Sequence, residues 1–136
     1  MPVPGPKALG LTRTFPTPSA LATGDLGGLG LTTARMAAIN AFAHAVAGHS
    51  IDLDGSARLD RLVDSLTAIP GLGPWTAQYL ALRLGEPDAF PRSDLGIRRA
   101  LSNGARQPVP PREAGRIAEA WRPWRAYAAL YLWSVP

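Results

Sequence analysis

Apolar residues recur at helical spacing along most of the chain. Leu59, Leu62, Val63, Leu66 and Ile69 fall at i, i+3, i+4, i+7 and i+10, the stripe of an amphipathic helix. Met36, Ile39, Phe42, Ala43 and Val46 mark a second helix from Thr32 to about Ala47, which Gly48 ends. Thr17-Pro18 is an N-cap and N1 pair for a short helix running to about Thr23 and closed by Gly24. Ile97, Ala100 and Leu101 anchor another short helix starting near Leu95, with Arg98 and Arg99 on its other face. After a polar loop from Ser102 to Pro110, Pro111 opens a helix carrying Ala114, Ile117, Ala118 and Trp121, and Pro123 restarts it as residues 124–133. Period-two alternation is absent, so the pattern predicts an all-α fold.

The most informative stretch is Leu66 to Tyr79, the end of one helix, a tight turn and the start of the next. Pro70 stops the first helix, Gly71 and Gly73 bracket one apolar residue, and Pro74 suits the first position of a helix running to about Leu84. Together these predict a hairpin over 58–84. Exposed N–H groups at such a turn and helix start form an anion site, although a hairpin with glycines that serve only to turn would read the same. On the second helix Ala77, Leu80, Ala81 and Leu84 form one apolar stripe. Trp75, Tyr79 and Leu82 form a second, nearly opposite, which calls for another lobe or a flat ligand. Gly28-Leu29-Gly30 repeats the Gly71-Leu72-Gly73 pattern, either as a second hairpin or as a coincidence of an Ala-, Gly- and Leu-rich composition.

Composition narrows the possibilities. The 136 residues make one domain's worth of chain and contain no cysteine, which excludes disulfides and cysteine-ligated metal sites and is consistent with the cytoplasm. No stretch approaches the roughly 20 apolar residues of a membrane span. The net charge of +4 comes wholly from residues 83–136, where nine arginines face five acids. Arginine outnumbers lysine thirteen to one, which suits bidentate phosphate contacts, though codon bias would give the same ratio. A basic half beside a backbone anion site points to a polyanion. His44 and His49 have no carboxylate at ligand spacing and read as surface residues. Asp94 stands where the N-cap of the helix near Leu95 would be. All four tryptophans and all three tyrosines lie between residues 75 and 133.

Four segments occur in order: Phe15-Pro16-Thr17-Pro18, Ile69 to Tyr79, Phe90-Pro91-Arg92-Ser93-Asp94 and Trp121-Arg122-Pro123-Trp124-Arg125-Ala126-Tyr127. This set resembles the helix-hairpin-helix superfamily of base-excision DNA glycosylases, and within it the bacterial DNA-3-methyladenine glycosylase II type. The resemblance implies a helical domain over 15–136 behind a disordered lead-in over 1–14. It implies that Asp94 is the catalytic carboxylate, that Trp75, Tyr79 and Trp133 line a base pocket, and that Gly71, Leu72, Gly73 and Thr76 meet a DNA phosphate. Trp75 occupies the place of the nucleophilic lysine of bifunctional members, which implies a monofunctional hydrolase acting on alkylated, cationic purines in double-stranded DNA. No cofactor is implied, although the hairpin of the family holds a monovalent cation, here at the Ile69 and Gly71 carbonyls. The implied location is cytoplasmic, on the nucleoid.

The resemblance departs at the front, where only fourteen residues precede Phe15. The expectation is therefore an N-terminally truncated glycosylase, weak or inactive alone, that self-associates or takes a companion polypeptide over its uncovered aromatic surface. The rival readings are a non-catalytic DNA-binding module and a protein-interaction fragment. Release of methylated base separates the enzyme from both.

Overall fold

The computed structural model describes residues 13–135, and its elements are all helical. Most of the lead-in read over 1–14 lies outside the described residues. The chain divides into two compact units, Met1–Ser50 and Ile51–Pro136.

The first unit is a helix pair, α1 (Pro18–Thr23) against α2 (Thr33–Ala47). Both start as the sequence predicts: the Thr17 hydroxyl accepts from Ala20 N–H at 3.3 Å and the Thr32 hydroxyl from Arg35 N–H at 3.4 Å. Asn40, inside α2, donates to the Leu21 carbonyl at 2.7 Å and so satisfies an orphaned acceptor at the end of α1. Gly28 and Gly30 both have positive φ, 78° and 69°. In the hairpin Gly71 has φ 93°, but Gly73 is extended at φ −89°. The repeated Gly-Leu-Gly therefore does not repeat a backbone, and the first copy joins no helical hairpin of the second kind.

The second unit holds α3 (Leu59–Thr67), α4 (Pro74–Arg83), α5 (Leu95–Ala100), α6 (Pro111–Ala118), a 3-10 turn (Glu119–Trp121) and α7 (Arg125–Ser134). Helix α3 ends three residues before Pro70, in keeping with the bias against helical backbone ahead of proline. Leu62, Leu66 and Ile69 of its stripe are buried, and Leu66 is fully enclosed. Ala77, Ala81, Ala114, Ala118 and Ala129 are sealed from solvent. Side chains this small let α4 lie close on α3, and α6 and α7 close on α5, so the core is built on alanine contacts more than on bulk.

Three sequence expectations change here. Leu82 is 9% exposed and belongs to the core, so the stripe read through Trp75, Tyr79 and Leu82 is split. Arg98 is only partly exposed: its Nε donates to the Val109 carbonyl at 2.7 Å and pins the loop before α6. The restarted C-terminal helix begins at Arg125, with Trp124 as its N-cap residue. The outer face of α7 is apolar, and Tyr127, Leu130 and Tyr131 are all exposed.

Candidate functional site

The loop after α4 carries Asp94 and is fastened at several points. Phe90 and Pro91 are buried, Phe90 packs edge-on against Trp121 at 6.0 Å, and Phe90 N–H donates to Gln78 Oε1 of α4 at 2.8 Å. Two tight turns follow, Arg92 N–H to the Phe90 carbonyl and Asp94 N–H to the Pro91 carbonyl, each 2.8 Å. They deliver Asp94 to the N-cap of α5, where Oδ1 accepts from Ile97 N–H at 3.0 Å.

Capping uses only part of the carboxylate. Trp133 Nε1 of α7 donates to Oδ1 at 2.9 Å, and Trp75 Nε1 of α4 donates to Oδ2 at 2.9 Å. Tyr79, one helical turn beyond Trp75, stacks on it with centroids 5.4 Å apart and planes within 10°. The same Tyr79 meets Trp133 edge-on at 5.9 Å. Residues from three helices and one loop thus place a carboxylate beside stacked aromatic rings, with Trp75 still 40% exposed. Asp94, Trp75, Tyr79 and Trp133, singled out from sequence, are brought together. The two indole N–H bonds were not foreseen, and the only signal for them was the unusual density of tryptophan near this acid.

Burial pushes the Asp94 carboxyl up, but donation from Trp133, Ile97 N–H, Trp75 and Gly96 N–H outweighs it and holds the pKa below the ordinary carboxylate value. Asp94 is therefore an anion at neutral pH and a weak base. A depressed folded-state pKa stabilises the fold above the unfolded carboxyl's pKa of about 4, and this contribution is lost as pH falls through the folded value. Trp133→Phe deletes one donor, so the Asp94 pKa should rise in a carboxyl NMR titration. An unchanged midpoint would show that the indole bond does not hold the charge. Gly96 gives Trp133 its access, since a Cβ there would lie 3.1 Å from Asp94 Oδ1 and 3.3 Å from Trp133 Cδ1.

Trp75 also links this cluster to the hairpin. Among the described residues, the N–H groups of Gly71, Gly73, Trp75 and Thr76 make no hydrogen bond within the chain. Leu72 differs from expectation: its N–H closes the turn on the Ile69 carbonyl at 3.0 Å and is not free. Only Gly71 needs its positive φ. A Cβ at Gly73 would meet nothing within 4 Å, so that glycine leaves the helix start open to approach without being required by the backbone.

The arginine excess of the C-terminal half is partly consumed internally. Arg116 pairs with Glu113, Arg122 with Glu119 and Asp88, Arg125 with Asp88 and Glu119, and Arg98 holds Val109. The side chains of Arg83, Arg92, Arg99, Arg106 and Arg112 have no hydrogen-bonding or ionic partner among the described residues. His44 and His49 are exposed, and no metal-binding group is found among the described residues.

These features define an all-α protein of the helix-hairpin-helix class, with a carboxylate anchored among aromatic rings next to an open helix start. No protein-family model matches the chain. The probable bifunctional transcriptional activator/DNA repair enzyme AlkA of Mycobacterium tuberculosis is 44% identical over 91% of this chain and 25% of its own length. DNA-3-methyladenine glycosylase 2 of Escherichia coli is 33% identical over 88% of this chain and 42% of its own. The solved structure of Schizosaccharomyces pombe 3-methyladenine DNA glycosylase, in complex with abasic DNA, superposes with a TM-score of 0.81 at 25% identity, covering 93% of this chain and 66% of that one. The chain belongs to the helix-hairpin-helix DNA glycosylase superfamily. It spans between a quarter and about two fifths of the length of these two curated relatives.

Proposed function

We propose that the chain acts in base-excision repair as a monofunctional glycosylase, hydrolysing the N-glycosidic bond of alkylated, cationic purines in double-stranded DNA, at the nucleoid. The observation that carries this reading is the Asp94 carboxylate, held ionised by two indole N–H groups beside the Trp75–Tyr79 stack. Asp94 would be the catalytic carboxylate. Trp75, Tyr79 and Trp133 would receive the flipped base.

Alkylation at a ring nitrogen makes the purine cationic and a good leaving group, so the protein need only accept the extruded base and support positive charge developing on the sugar. An anion about 4 Å from that charge, at an effective dielectric near 20, supplies on the order of 4 kcal/mol. Three hydrogen bonds on the carboxylate lower its basicity, which favours charge stabilisation over proton abstraction from water. Indole and phenol faces add about 0.5 to 2 kcal/mol each for a cationic base over a neutral one. The only lysine is Lys7, and tryptophan stands at residue 75 where a Schiff-base nucleophile would be needed, which supports hydrolysis without strand cutting. Base release from alkylated duplex tests the reading.

The free N–H groups at Gly71, Gly73 and Thr76 would take a phosphate, with Leu72 turning the chain between them. The turn would also leave oxygens for a monovalent cation, because the Ile69 carbonyl keeps a second lone pair beyond its bond to Leu72 and the Gly71 carbonyl accepts none among the described residues. Gly73→Val adds bulk at an unstrained position facing the approach. It should weaken binding to every DNA sequence about tenfold, the scale of one charge-assisted hydrogen bond lost. Equal affinity in matched salt, with helicity retained, would remove the phosphate from this turn.

A further inference from the structure

A concavity of about 610 Å³ lies between α4, the loop that carries Asp94 and α6, and none of Trp75, Tyr79, Asp94 or Trp133 lines it. Its lining holds five arginines, Arg92, Arg112, Arg116, Arg122 and Arg125, against a single carboxylate, Glu119. Counting every acid that pairs with them, Glu113, Glu119 and Asp88 meet Arg116, Arg122 and Arg125. Arg92 and Arg112 are left over, with no partner among the described residues. The cavity therefore carries a surplus of two guanidinium charges that nothing in the fold uses.

The Arg92 side chain is seated, not merely projecting. A Cβ at Gly115 would lie 3.3 Å from Arg92 Cδ and 3.9 Å from its guanidinium nitrogen, so the side chain lies across α6 where glycine leaves room. Glycine is the poorest helix former after proline, so its place inside α6 is explained by this seat and not by helix stability. Arg112 stands one turn before Gly115 on the same face. Neutral donors complete the lining. The Ser93 hydroxyl makes no bond among the described residues, and Gln78, whose Oε1 is occupied by Phe90 N–H, keeps its amide NH₂ available.

We propose that this cavity binds a phosphate group, gripped by Arg92 and Arg112, with Ser93 and Gln78 donating to its remaining oxygens. Planar guanidinium forks match phosphate oxygens bidentately. The phosphate comes from a nucleic-acid phosphodiester or from a small phosphomonoester. The inference does not depend on the glycosylase reading, because it rests on charge surplus and geometry alone.

The test is calorimetric titration of the 136-residue chain with inorganic phosphate against chloride at matched ionic strength, followed by a short DNA duplex with and without phosphate. Saturable phosphate binding is expected, weakened at least tenfold in Arg92→Gln/Arg112→Gln and unchanged in Arg99→Gln, whose unpaired side chain lies outside the cavity. Circular dichroism establishes that the variants are folded, and Arg112→Gln alone gives a smaller loss in the same direction. If duplex affinity also falls in the double variant and phosphate competes with duplex, the source is the phosphodiester backbone. If duplex affinity is untouched while phosphate binding is lost, the source is a small phosphomonoester. Phosphate heats no different from chloride, or equal phosphate affinity in parent and double variant, would overturn the proposal.

Discussion

Asp94→Asn should reduce excision of alkylated purine by roughly a hundredfold or more while leaving DNA affinity within about twofold. The substitution removes the charge that supports the developing sugar cation, an interaction on the order of 4 kcal/mol at ~4 Å, or about a thousandfold in rate. Asparagine can still cap Ile97 through its carbonyl oxygen. Its NH₂ group then takes the place of Oδ2 and faces the Trp75 Nε1 donor, so the bond from Trp75 is lost. The thermal midpoint should therefore fall by the equivalent of about 1 kcal/mol, far less than the loss in rate. A variant that excises as fast as its parent would leave Asp94 with a purely structural role.

The largest stability effect is expected at Asp88. Its carboxylate takes Arg125 Nε at 2.6 Å and a second Arg125 nitrogen at 2.8 Å, and Arg122 joins the same oxygen. The Arg125 and Asp88 side chains are only 12% and 16% exposed. Beside them Ala126 N–H donates to the Pro87 carbonyl at 2.9 Å, so this cluster ties the 85–94 loop to the start of α7 and thereby sets Trp133 against Asp94. Asp88→Ala should cost about 3 kcal/mol in chemical denaturation, because it leaves the largely buried Arg125 guanidinium with only the exposed Glu119, at 3.2 Å, as an ionic partner. Glu113→Ala, which breaks the exposed Arg116 pair, should cost no more than about 1 kcal/mol. Equal losses would mean that the Asp88 cluster is no more than a solvated surface network.

How much of this was legible follows from which interactions are local. Helix starts at Thr17, Thr32, Pro74, Asp94 and Pro111 were readable because capping and proline preferences act within three or four residues. The hairpin was readable for the same reason, down to the glycine that needs positive φ, although sequence could not tell Gly71 from Gly73. What stayed hidden crosses the chain. The Trp133–Asp94 bond joins residues 39 apart, and the Asp88–Arg125 pair joins residues 37 apart. Gln78 reads as one more polar residue on a helix face until its partner, the Phe90 N–H, is in place. Arginine counts misled in the other direction, since Arg98, Arg116, Arg122 and Arg125 look like surface charge in the sequence and are spent on the fold. Leu82 failed for a related reason: a helical wheel shows which side a residue faces, but not that α4 is covered there.

The most direct test of the account is to incubate the purified 136-residue chain with duplex DNA carrying 3-methyladenine, to quantify free base by chromatography, and to examine the strands by denaturing electrophoresis. The account predicts release of 3-methyladenine above the protein-free background, intact strands bearing abasic sites, and loss of that release in Asp94→Asn. Salt-dependent binding of the duplex with no free base would contradict it and leave a DNA-binding module, and strand cleavage coupled to release would contradict the monofunctional assignment.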